Sequence, residues 1–83
     1  MPYITKEDRA KYDAALKMIK KIDTKGDLEY CIYKLMTTYM EDKKWSYAEL
    51  HNTVYAAVHC GDEFRRRNLD AREDGARETN GEI

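Results

Sequence analysis

Trp45-Ser46-Tyr47-Ala48-Glu49-Leu50 carries a helix-start signal and opens the longest helical pattern in the chain, so the remaining segments are placed relative to it. Ser46 stands three residues before Glu49. The serine oxygen can accept from the Glu49 amide while the Glu49 carboxylate reaches back to the Ser46 amide, the reciprocal pairing of a capping box. Trp45 precedes the cap and Leu50 follows it by four positions, the spacing at which two apolar side chains clamp the incoming chain. The predicted buried stripe beyond is Leu50, Val54, Ala57, Val58, Gly61 and Phe64, at three- and four-residue steps. Gly61 costs about 1 kcal/mol in a helix interior relative to alanine. With Ala56, Ala57 and Cys60 it offers a small-residue surface on which another backbone can come close, so a packing reason is expected. Asp62 with Arg66 and Glu63 with Arg67 are four apart in the favourable order. The third helix is expected over 47–74, stopped by Gly75, with a polar tail over 75–83.

Towards the N-terminus, Met1 to Ile4 reads as an extended arm, because Pro2 fixes its own backbone and has no amide hydrogen to donate. Thr5 is the expected cap of a first helix over 6–22, with Glu7 and Asp8 in the first turn where the helix dipole favours negative charge. Tyr12, Leu16, Ile19 and Ile22 give it one face to bury, and Lys17, Lys20 and Lys21 gather near its end. Gly26 can take the left-handed conformation that ends a helix, and Asp27 can cap the next. The second helix, over 28–41, has apolar residues over more than half its circumference: Leu28, Cys31, Ile32, Leu35, Met36, Tyr39 and Met40. That is more than one neighbouring helix needs. It places this helix in the middle of the fold or in an interface between subunits, with Tyr39, Met36 and Met40 as the candidate interface residues. The fold class that follows is all-α, a compact three-helix domain with a polar C-terminal tail.

Composition sets the bounds. The chain has 83 residues, 42% of them hydrophobic and 37% charged, a balance suited to amphipathic helices with solvated outer faces. One domain is expected, with a marginal core. No apolar run reaches the roughly 18 residues that a membrane span needs. The N-terminus lacks the regions of a secretory signal, so a cytoplasmic protein is expected. Cys31 and Cys60 fit no CxxC pattern and read as buried thiols, with a disulfide or a reactive nucleophile as the alternatives. The net charge of -1 conceals an asymmetry: 13 Lys and Arg against 11 Asp and Glu up to Leu69, then 2 against 5. Duplex nucleic acid is not the expected partner of so mild a basic balance.

The constellations that could carry chemistry are few. His51, Tyr55 and His59 share a face of the third helix, but His51 and His59 lie roughly 12 Å apart along its axis and cannot share one metal ion from one chain. Cys60 and His59 are helix neighbours and point apart, so they make no thiol and base pair. No nucleotide-loop, dinucleotide or metalloprotease motif occurs, and no cofactor is implied. Arg65, Arg66 and Arg67 are the most concentrated positive feature. Arginine forks bind phosphate bidentately, which makes them, with Tyr55 and His59, the candidate ligand-binding residues; ion pairs to Asp62, Glu63 and Asp70 compete for the same groups. The seven tyrosines exceed what a three-helix core takes and suit an interface or a stacked base. The end of the chain has two readings. It frays, or Gly81-Glu82-Ile83 lies beside Tyr3-Ile4 as a minimal pair of extended segments.

Met1-Pro2-Tyr3-Ile4 at the start, Glu63-Phe64 with Arg66-Arg67, Glu73-Asp74, and Asn80-Gly81-Glu82 at the close together resemble a family of short proteins encoded by tailed phages and bacteria. The resemblance covers nearly the whole chain and implies a phage or prophage setting, without an activity or site residues. A shared ending is hard to reconcile with a purely disordered C-terminus. Two functions are therefore expected as alternatives. One is a non-enzymatic, homo-oligomeric binding or accessory protein that meets a host or phage protein through tyrosine- and methionine-rich surface. The other is sequestration of a nucleotide-like anionic signalling ligand by arginines and tyrosines, with hydrolysis of such a ligand a more distant third.

Overall fold

The computed structural model describes residues 4–83, which form three helices in an all-α arrangement, with no strand among the described residues. Helix α1 is Lys6–Lys17 and α2 is Lys25–Met40. Helix α3 is Tyr47–Phe64, and it continues through a π-helical turn at Arg65–Leu69 into α4, Asp70–Asn80. The third helix is thus one rod from Tyr47 to Asn80. At about 1.5 Å per residue it is about 51 Å long, and it sets the longest of the molecule's dimensions, 51 × 32 × 29 Å.

The helix starts follow from side-chain caps. The Thr5 hydroxyl accepts from the Asp8 amide at 3.1 Å, and Ser46 Oγ accepts from the Glu49 amide at 3.3 Å. Trp45 remains 72% exposed, so the expected clamp over Leu50 leaves most of the indole in water. Replacing Ser46 by alanine is expected to cost roughly 1 kcal/mol in a urea melt, because the third helix loses its cap. A loss within error of zero would show that this cap contributes nothing.

Several expected boundaries move. Helix α1 ends at Lys17 rather than at Ile22: the Met18 and Ile19 amides bond only three residues back, at 3.2 and 3.1 Å, and the helix tightens and stops. Continuing it would stack Lys17, Lys20 and Lys21 three and four residues apart, where like charges repel. Helix α2 starts at Lys25 because Thr24, not Asp27, is its cap. Thr24 Oγ1 accepts from the Asp27 amide at 3.0 Å and Asp27 Oδ2 accepts from the Thr24 amide at 3.3 Å, a complete capping box. Gly26 therefore sits inside the helix with ordinary backbone angles, as does Gly75. The residue that ends a helix at positive φ is Gly81, at φ 96°. Its amide bonds to the Arg77 carbonyl at 2.9 Å, and Arg77 also pairs with Asp74 at 2.7 Å and Glu82 at 3.2 Å. The expected polar tail is thus helical to Asn80. Of the proposed pairing between chain ends, the Tyr3 half lies outside the described residues, and Ile4 and residues 81–83 form no strand.

The packing is concentrated at the hairpin that α2 and α3 make. Met40 is the buried apolar side chain there, 3% exposed, and Thr53 of α3 is buried with its hydroxyl donating to the Glu49 carbonyl at 2.8 Å. No Cα of α1 comes within 8 Å of one in another helix, and the face expected to be buried leaves Tyr12 and Leu16 exposed. The stripe predicted for α3 is likewise open at Leu50, Val54, Val58 and Phe64. The side that faces α2 carries Ala57, Gly61 and Phe64 of that stripe together with Thr53, Ala56 and Cys60, and leaves Leu50, Val54 and Val58 outside.

Candidate functional site

Between α2 and α3 runs an open groove of about 550 Å³, within the roughly 300 to 1,000 Å³ usual for binding sites. Its α2 wall is made of large side chains, Ile32, Leu35, Met36 and Tyr39, which recur at three and four residues and so share one helix face. Its α3 wall is made of small ones, Thr53, Ala56, Ala57, Cys60 and Gly61, with Phe64 at the far end. No charged side chain lines it.

The candidate interface residues divide here. Tyr39 and Met36 are on the groove wall, but Met40 is enclosed by its own chain and belongs to the small core. Tyr39 is also held from behind. Lys43 Nζ stands 3.8 Å from its ring centroid, donates to the Tyr39 carbonyl at 2.9 Å and pairs with Asp42 at 3.0 Å. The hydrogen bond from Lys43 lowers the Asp42 carboxyl below its usual range, and the same bond raises Lys43. The pair's contribution is therefore present through neutral pH, and is lost as acid takes Asp42 through its lowered value or alkali takes Lys43 through its raised one.

Opposite the groove, α3 carries a ladder of rings. Tyr47 and His51 have centroids 5.7 Å apart, His51 stacks on Tyr55 at 4.3 Å, and Tyr55 meets His59 at 6.2 Å. These rings are exposed, because no helix covers that side. Both cysteines are thiols outside any disulfide, Cys31 half-buried and Cys60 exposed on the groove, so the expectation of two buried thiols does not hold.

Arg65, Arg66 and Arg67 open the π-helical turn, where the amide of Asp70 bonds five residues back to the Arg65 carbonyl. Asn68 donates its side-chain amide to the Phe64 carbonyl at 3.1 Å as the ladder shifts register. Arg66 forks onto Glu63 with contacts of 2.7 and 3.3 Å, and Arg67 reaches the same carboxylate at 2.6 Å. Glu63 is only 15% exposed and takes both guanidiniums, while Asp62 lies 3.8 Å from Arg65. The expected Glu63 to Arg67 pair is present, and the carboxylate that Arg66 forks onto is Glu63 rather than the Asp62 suggested by spacing. Seven residues separate His59 from Arg66 and eleven separate Tyr55 from it, close to two and three helical turns, so Arg66 prolongs the line of the ring ladder. Arg65 and Arg67 fall to either side.

The groove itself was the feature that sequence reading missed. Its signal was the contrast between a large-residue face on α2 and small residues at 56, 57, 60 and 61, which reads equally as an intrachain contact until the two helices are seen to leave it open.

These features define the class: an all-α domain of three helices with an unfilled apolar groove. The chain belongs to the family described as a domain of unknown function (DUF6899), whose model matches residues 1–83. No curated protein and no solved structure matches it. No helix among the described residues is long and apolar enough to cross a membrane.

Proposed function

We propose that this chain is a non-enzymatic binding or accessory protein of phage type, working in the host cytoplasm as a homo-oligomer and acting through protein-protein contacts. The observation that carries the reading is the amount of surface left open. The accessible area is 7805 Å², whereas a folded monomer of this mass exposes about 5,200 Å². The radius of gyration, 16.5 Å, compares with about 12 Å for a compact chain of this length. Large apolar and aromatic side chains are among those left open: Leu35, Phe64 and the tyrosines at 12, 30, 33, 39, 47 and 55 are all exposed. Light scattering at tens of micromolar tests the reading. The expected result is a mass of at least twice 9.8 kDa; a monomer throughout would overturn it.

The line formed by Tyr55, His59 and Arg66 favours a second reading, capture of a nucleotide-like anion. Rings would stack on a base and the guanidinium would face a phosphate. The ligand would compete with Glu63 for Arg66. Replacing Arg66 or Arg67 with glutamine is expected to lower the melting temperature by at most about 4 to 8 °C, since a pair whose arginine is exposed contributes about 1 kcal/mol or less. If the second reading holds, the same changes also remove any thermal shift produced by a nucleotide panel. Unchanged nucleotide responses, or none in the natural chain, would leave these arginines as ion pairs at the π-helical turn.

A further inference from the structure

We infer that the α2/α3 groove is filled by the same groove of a second copy, so that two hairpins close around a two-fold axis into a four-helix layer pair. This rests on the homo-oligomer reading and adds the surface and the geometry. A hairpin of two amphipathic helices is a single layer, and a layer with one apolar face is closed by a second. The surplus area, about 2,600 Å² per chain against the size-scaling relation, is spread over the whole chain, α1 and α4 included, and the roughly 800 Å² per partner of an ordinary stable interface would take about a third of it.

The walls of the groove say which second layer fits. Its α2 side is a ridge of Ile32, Leu35, Met36 and Tyr39, and its α3 side is a trough of Ala56, Ala57, Cys60 and Gly61. Ridge and trough lie side by side in one chain and leave the space between them open. A two-fold rotation lays the ridge of each copy over the trough of the other, the alternation of large against small that lets facing layers interdigitate. A charged partner helix would find no charged side chain on the lining to pair with.

Gly61 adds an independent point. A Cβ built there meets nothing within 4 Å, so no part of its own chain requires the glycine. A residue that weakens the helix and has no intrachain reason is accounted for when a second copy's α2 side chain occupies the space above it. Gly75 has equally open surroundings but lies on α4, away from the groove.

The test uses the full chain by sedimentation equilibrium, with circular dichroism to verify helix content. Gly61→Leu fills the trough and improves helix propensity, so helicity is retained or rises. Self-association is expected to weaken by roughly tenfold to a hundredfold, the factor that an overpacked contact corresponds to. Gly75→Ala raises helicity and leaves association unchanged. Val58→Glu, on the exposed stripe outside the groove, also leaves it unchanged. If Val58→Glu dissociates the oligomer and Gly61→Leu does not, the homo-oligomer reading stands and the groove pairing is overturned. If the natural chain is monomeric throughout, both fall. A second measurement needs no variant: alkylation of Cys60 is expected to accelerate on dilution, in step with the loss of the dimer. A rate independent of concentration, across a range in which the mass changes, would overturn the groove pairing.

Discussion

Replacing Met40 by alanine is expected to destabilise the fold by about 2 to 3 kcal/mol, near the low end of the range for truncating a buried methionine. Met40 ends α2 at the point where the connector turns back, and the Lys43 amide bonds to its carbonyl at 3.1 Å. Among the described residues it is the apolar side chain that the fold encloses, so its loss removes the centre around which α2 and α3 are held. The surroundings are open enough to relax into part of the space, which is why the upper end of the range is not expected. The melt should be run at one fixed protein concentration, because association adds to apparent stability. A loss under about 0.5 kcal/mol, the size of an ordinary surface change, would mean that the hairpin is held elsewhere.

Leu35→Glu is expected to have the larger effect on assembly. Leu35 lies on the groove wall and is 57% exposed in the single chain, so a glutamate there reaches water and the hairpin survives. In the paired state the carboxylate would be enclosed by apolar side chains without a cation on the lining. An unpaired buried charge costs about 3 to 5 kcal/mol, which corresponds to a rise of more than a hundredfold in the dimer Kd. Equilibrium sedimentation reads this directly. A Kd within about threefold of the natural chain's would be under 1 kcal/mol and would place the interface elsewhere.

Local signals in this chain were legible and long-range ones were not. Thr5 and Ser46 announced their helices because a cap is decided within four residues. Thr24 went unread for a related reason: Asp27 can serve both as a cap and as the third helical residue that answers one, and only the second leaves Gly26 inside a helix. Gly75 was read as a stop, yet the chain turns to positive φ, where glycine is favoured, only at Gly81 among the described residues. The apolar steps at Ile19 and Ile22 continued a helical rhythm that no partner rewards, so the lysines around them end α1 early. The π-helical turn at Arg65–Leu69 has no periodic signature in so short a stretch. The width of the apolar face on α2 was read correctly as more than one neighbour can cover. What the sequence could not say is that α3 presents its small residues to α2 and turns Leu50, Val54 and Val58 outward, since both faces have helical spacing.

In the paired arrangement inferred above, the walls of the groove are closed only in the assembled protein. Hydrogen exchange measured at high protein concentration and again after dilution tests it most directly, because protection reports local opening segment by segment. The expected result is that amides of α2 around Ile32 to Tyr39 and of α3 around Thr53 to Phe64 lose protection together on dilution, while those of α4 exchange at the same rate in both samples. Protection in α2 and α3 that does not depend on concentration, in a chain whose mass does, would contradict it.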